Sequence, residues 1–96
     1  MYGVIGRIKA ISGQRDLLSA VLVRGTQGMP GCLSYIVAYD PNDEDSIWVT
    51  EIWESPECHR ASLSLPSVRQ ALARGKAFIA SFGERFETRP VGGHGI

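Results

Sequence analysis

The chain has 96 residues, 44% of them apolar and 21% charged, with ten basic side chains against ten acidic ones. That length makes one domain with a modest core, since a chain of this size buries only about 60–65% of its unfolded surface. Zero net charge removes the field that draws a protein to nucleic acid or anionic lipid, and no apolar run approaches the roughly 18–20 residues of a membrane span.

The opening Met1-Tyr2-Gly3-Val4-Ile5-Gly6-Arg7 lacks the basic region and apolar core of a secretory leader. Cys32 and Cys58 are the only cysteines. With nothing pointing to export, they are expected as reduced thiols of a cytoplasmic protein.

Tyr2 to Ile11 is rich in β-formers and alternates loosely, with Val4, Ile8 and Ala10 on one side and Ile5, Arg7, Lys9 and Ile11 on the other. It reads as a strand. Ser12-Gly13 breaks it, and Ser12 offers a cap to the helix that follows. From Gln14 to Arg24 the apolar Leu17, Leu18, Val21 and Leu22 share one helical face, and Gly25 ends the pattern. Beyond the breaker-rich Gln27-Gly28-Met29-Pro30-Gly31, Cys32 to Asp40 reads as a second strand. Cys32, Ser34, Ile36 and Ala38 are expected to face one way and Leu33, Tyr35, Val37 and Tyr39 the other. The polar turn Asp40-Pro41-Asn42-Asp43-Glu44-Asp45 leads directly into a third strand, Ser46 to Glu54, so an antiparallel hairpin is expected.

Ser55-Pro56-Glu57 combines a capping hydroxyl, a first-turn proline and a dipole-favoured acid. The helix it starts is expected to run to about Leu65, to restart at Pro66 and to be interrupted at Gly75. Ala77, Phe78, Ile79 and Phe82 read as a last apolar turn, and Glu84 to Val91 as the fourth strand. Residues 1–91 then form one domain, and residues 92–96 a glycine-rich tail. The order β-α-β-β-α-β is the split-βαβ, ferredoxin-like α+β arrangement with an antiparallel sheet.

A sheet with one wet face alternates cleanly between apolar and polar residues. These strands do not: Ile47, Val49 and Trp53 oppose Trp48 and Ile52 in the third, and both faces of the second are largely apolar. Helices cover only one face. A homodimer in which a second copy covers the other is therefore expected.

Three segments carry a resemblance: Met29-Pro30-Gly31-Cys32-Leu33-Ser34-Tyr35, the turn Asp40-Pro41-Asn42-Asp43, and Thr50-Glu51-Ile52-Trp53-Glu54-Ser55-Pro56-Glu57. In this order and spacing the chain resembles the antibiotic biosynthesis monooxygenase family. The resemblance implies a dimeric α+β barrel with two sheets face to face. It also implies a small aromatic substrate oxidised by molecular oxygen without flavin, metal or haem, the deprotonated substrate supplying the electrons. The histidines that the family commonly carries at the positions of Ser62 and Ser67 are serines here. The asparagine, tryptophan and histidine that its haem-degrading branch needs are missing from the first strand and from the Ser62 and Leu72 positions.

His59, the only histidine inside an expected element, is a candidate proton acceptor for a phenol; the plainer alternative is a surface or packing histidine. Glu51 is an acid in an apolar strand, so burial would raise its pKa and make it a base or proton relay. A hydrogen bond or salt bridge to a strand neighbour such as Arg7 or Arg85 is the alternative for it. Trp53, Tyr35, Ser62, Phe78 and Phe82 are candidates for gripping a substrate, although large aromatics are mainly core and interface material. Cys58-His59 suggests a metal, yet adjacent helical residues diverge by about 100° and no spaced partners complete a site, so none is expected.

Two rivals stand beside a cofactor-independent monooxygenase. One is a non-catalytic small-molecule binding or sensing protein on the same dimeric scaffold. The other, an RNA-recognition module with the same strand order, needs a basic aromatic motif on the third strand; here that strand has two acids and no base.

Overall fold

A computed structural model describes all 96 residues. Four strands form one antiparallel sheet in the order β2-β3-β1-β4: β1 (Tyr2–Ala10), β2 (Cys32–Tyr39), β3 (Ser46–Trp53) and β4 (Ile79–Thr88). Three helices, α1 (Arg15–Gly25), α2 (Pro56–Ser62) and α3 (Pro66–Gly75), cover one face of it. This is the ferredoxin-like α+β arrangement expected from the strand order. No helix is long and apolar enough to cross a membrane.

The local chemistry explains most boundaries. Ser55 caps α2 by accepting from the Cys58 N–H at 3.2 Å, and Pro56 occupies the first turn. Pro66 restarts the helical layer as α3. Helix α1 begins at Arg15 with Gln14 at its cap position and no side-chain cap bond, so Ser12 does not serve as the cap. Arg15 instead pins the helix to the β2–β3 turn. Its Nη1 donates to the carbonyls of Asp43 at 3.0 Å and of Asp40 and Ser46 at 3.4 Å, and its guanidinium lies 3.9 Å from the Tyr39 ring centroid.

Two further expectations change. The pairing of β2 with β3 shifts register between Cys32 and Ser34, and this bulge turns Cys32 to the helical side, where it packs with Tyr35 around Met29, Trp53 and Val68. The fourth strand begins at Ile79, five residues before the expected Glu84, and ends at Thr88. A 3₁₀ turn, Lys76–Phe78, takes the place of the last helical turn. Two register shifts against β1 hide the period of two in β4, so Ile79 and Phe82 mimic a helical spacing although both point from a strand.

The helical face of the sheet holds the core of Ala10, Leu18, Leu22, Ile47 and Val49. Helices α1 and α3 meet at Gly25, where an added Cβ would stand 2.2 Å from the Ala71 Cβ. Gly25→Ala is therefore expected to force the helices apart, costing about 1–3 kcal/mol. In a thermal melt this reads as a Tm lower by roughly 5–20 °C.

The opposite face carries Ile36, Thr50, Ile5 and Phe86 in one hydrogen-bonded row, with Ile52 and Trp48 in the neighbouring rows. Ile36 is 53% exposed and Phe86 54%. The chain's surface is 6073 Å², against about 5,400 Å² for a compact monomer of its mass. Much of this apolar sheet face lies open.

Candidate active site

The registers bring one row of side chains together on the helical face. Tyr35 of β2 stands opposite Glu51 of β3, and Glu51 stands opposite Val4 of β1. Above this row, α2 delivers His59, whose Nε2 lies 3.8 Å from Glu51 Oε1. The Trp53 indole N–H donates to the same oxygen at 3.1 Å. The imidazole is bracketed by aromatic rings, with the Tyr2 centroid at 5.5 Å and the Trp53 centroid at 5.6 Å in edge-on geometry.

These groups line a cavity of about 410 Å³ between the sheet and the α2–α3 layer, within the size range of small-molecule sites. Tyr35, Glu51 and His59 make one polar end, and Arg7, Glu84 and Arg85 also line the cavity. Val4, Ile8, Leu22, Met29, Val68 and Leu72 make much of the apolar remainder. Along β1 the cavity extends from the Val4 row to the Ile8–Phe82 pair, about 13 Å at strand rise. Phe82 is 74% exposed and stands at the open end.

Burial is the chief cause that pushes the Glu51 carboxyl above its ordinary range. The Trp53 hydrogen bond and the charges of His59 and Arg85 oppose it only in part. Burial first, and then the Glu51 charge, push the Tyr35 phenol up as well. Arg7 and Arg85 do not hold Glu51. Arg7 bonds Glu84 at 2.7–2.9 Å, and Arg85 bonds Glu87 at 2.9 Å and Tyr2 at 3.4 Å. The strand neighbour that does bond Glu51 is Trp53, so the plainer alternative holds as a hydrogen bond and not as an arginine salt bridge.

The other sequence candidates separate. Ser62 lines the cavity, but its hydroxyl donates to the His59 carbonyl at 2.6 Å and so serves its own helix. Trp53 lines the cavity but is 0% exposed, packed against Met29 and Val68, so it serves the wall more than a stacking platform. Phe78 lies away from the cavity, packed on the core and along the outer α1–α3 groove; the 3₁₀ turn that holds it projects it there. No three His, Cys, Asp or Glu side chains assemble as a metal site.

Sequence reasoning missed Tyr2, Met29 and Gly6. Tyr2 was hidden at a strand end, and only its pairing with Trp53 places it over His59. Gly6 stands in the cavity wall between Val49 and Arg85, where an added Cβ would meet nothing nearer than the Glu84 carbonyl at 3.9 Å. The backbone does not demand glycine there, since its φ is not positive; the cavity's width does. Gly6→Leu is expected to leave folding intact and weaken ligand binding 10–100-fold, the equivalent of about 1–3 kcal/mol of overpacking, as titration calorimetry would read it.

The sequence profile described as Antibiotic biosynthesis monooxygenase matches residues 1–74. A solved structure from Chloroflexus aurantiacus J-10-fl, provisionally named an antibiotic biosynthesis monooxygenase, is 61% identical. It superposes with a TM-score of 0.95 over 97% of this chain and 95% of that one. A Deinococcus radiodurans structure with the same provisional name is 24% identical, with a TM-score of 0.79 over 97% and 95% of the two chains; that likeness concerns the fold alone. No curated protein matches the sequence.

Proposed function

Since the chain belongs to the antibiotic biosynthesis monooxygenase family, we propose that it oxidises a quinol, polyphenol or related aromatic with molecular oxygen, without an added cofactor. The observation that carries this reading is the meeting of Glu51 and His59, 3.8 Å apart, at the polar end of a largely apolar cavity. An aromatic ring suits the apolar part, and a hydroxyl suits the polar end.

The chemistry starts with a proton. The substrate hydroxyl gives it to Glu51, whose raised affinity for protons makes it a better base than an exposed carboxylate. His59 stands at the same polar end, 3.8 Å from Glu51 Oε1, as the second candidate acceptor. The phenolate then passes one electron to dioxygen, and the phenoxyl radical and superoxide join at a ring carbon bearing hydrogen. The peroxide anion takes back the proton. Loss of water turns the C–H carbon into a carbonyl, so one oxygen atom enters the product and the other leaves as water. The apolar walls limit water around the anionic intermediates.

The open sheet face supports a homodimer as the working assembly, because apolar residues such as Ile36 and Phe86 are more than half exposed on it.

The test is aerobic and anaerobic incubation with a panel of hydroquinones. Oxygen uptake above the uncatalysed rate, with one labelled atom from ¹⁸O₂ in the product, is expected. Binding without uptake supports the non-catalytic binding or sensing role on the same scaffold.

A further inference from the structure

We infer that Trp53 is a positioning residue for Glu51, acting through its indole N–H and presenting Glu51 Oε2 to the cavity. This rests on Glu51 as the proton acceptor proposed above.

The geometry separates the two carboxylate oxygens. Oε1 accepts from Trp53 Nε1 at 3.1 Å and is the oxygen nearest His59 Nε2. Oε2 accepts no hydrogen bond from the protein. The one buried side-chain polar atom without a partner is Arg15 Nε, so Oε2 is not sealed off, and Glu51 lines the cavity. The His59 contact, at 3.8 Å, is beyond hydrogen-bonding distance. The Trp53 bond is therefore the only short restraint on the carboxylate's rotation.

Trp53 is suited to that task. Residues two apart on a strand share a face, so Glu51 and Trp53 project together from β3. The indole is wholly buried against Met29 and Val68, which fixes the direction of its N–H. The same ring meets the imidazole edge-on. One side chain thus contacts both members of the pair. A hydrogen bond to the ionised carboxylate also favours that form, in opposition to burial.

The test removes the N–H and keeps the bulk. Trp53→Phe is one variant; replacement of Trp53 by 3-benzothienylalanine, which has sulfur in place of the N–H, is a closer isostere for a site this tightly packed. A ¹³C NMR titration of the ligand-free protein follows the Glu51 carboxyl, assigned by its loss in Glu51→Gln. In a folded variant the Glu51 midpoint is expected to move to higher pH, and kcat to fall 10–100-fold with KM little changed. An unchanged midpoint in the folded isostere overturns the proposal. The midpoint is read without substrate, so a shift in a protein that consumes no oxygen sustains the role of Trp53 and removes only the oxidation reading.

Discussion

Glu51→Gln is expected to lower turnover on the order of 10²–10⁴-fold, the usual contribution of a positioned acid or base, while leaving ligand affinity nearly unchanged. The amide fills the same space and still accepts from Trp53, but it cannot take a proton. Stability should move the other way. Because burial raises the folded-state pKa of Glu51 above its ordinary 4.5, the folded protein favours the neutral acid. The associated stability is fully present below about pH 4.5 and is lost as pH rises through the raised value. At neutral pH, then, the charged carboxylate costs stability that the glutamine does not. Denaturant titrations should find Glu51→Gln more stable than the parent at pH 7–8, with the difference closing towards pH 4. Equal stability at neutral pH would mean that the carboxylate is better compensated than the Trp53 hydrogen bond and the charges of His59 and Arg85 allow. The acid limb of the wild-type pH–rate profile should likewise lie above the ordinary carboxylate range.

The second large effect concerns assembly. Ile36, at one end of the row Ile36-Thr50-Ile5-Phe86, is half exposed in a single copy, so Ile36→Lys should cost the isolated fold little. In a two-fold dimer closed over this face the lysine appears twice, each time without a partner inside an apolar contact. An uncompensated buried charge costs about 3–5 kcal/mol. Sedimentation of the wild type at micromolar concentration should give a dimer, and Ile36→Lys a folded monomer. A wild-type monomer would remove the assembly from the account.

The sequence and the structure agree where local rules act alone. Ser55 and Pro56 start α2, Pro66 starts α3, and the strand order follows from short connections and one polar turn. The disagreements arise where one residue breaks the period. At Cys32–Ser34 a bulge reverses the side to which Cys32 points, and in β4 two shifts make strand residues look helical. The site was partly legible. An acid in an apolar strand and a histidine one element later could be singled out, but their meeting depends on the crossing of α2 over β3, which no spacing encodes. Tyr2 and Gly6 gave no warning, the first because terminal tyrosines are commonplace, the second because a glycine that widens a cavity resembles any other glycine in a strand.

The most direct measurement is an anaerobic crystal structure with a hydroquinone bound. One hydroxyl is expected within hydrogen-bonding distance of Glu51 Oε2, with the ring directed along β1 towards Phe82. A ligand seated on the opposite sheet face, or in the cavity with no polar atom near Glu51 or His59, would contradict it.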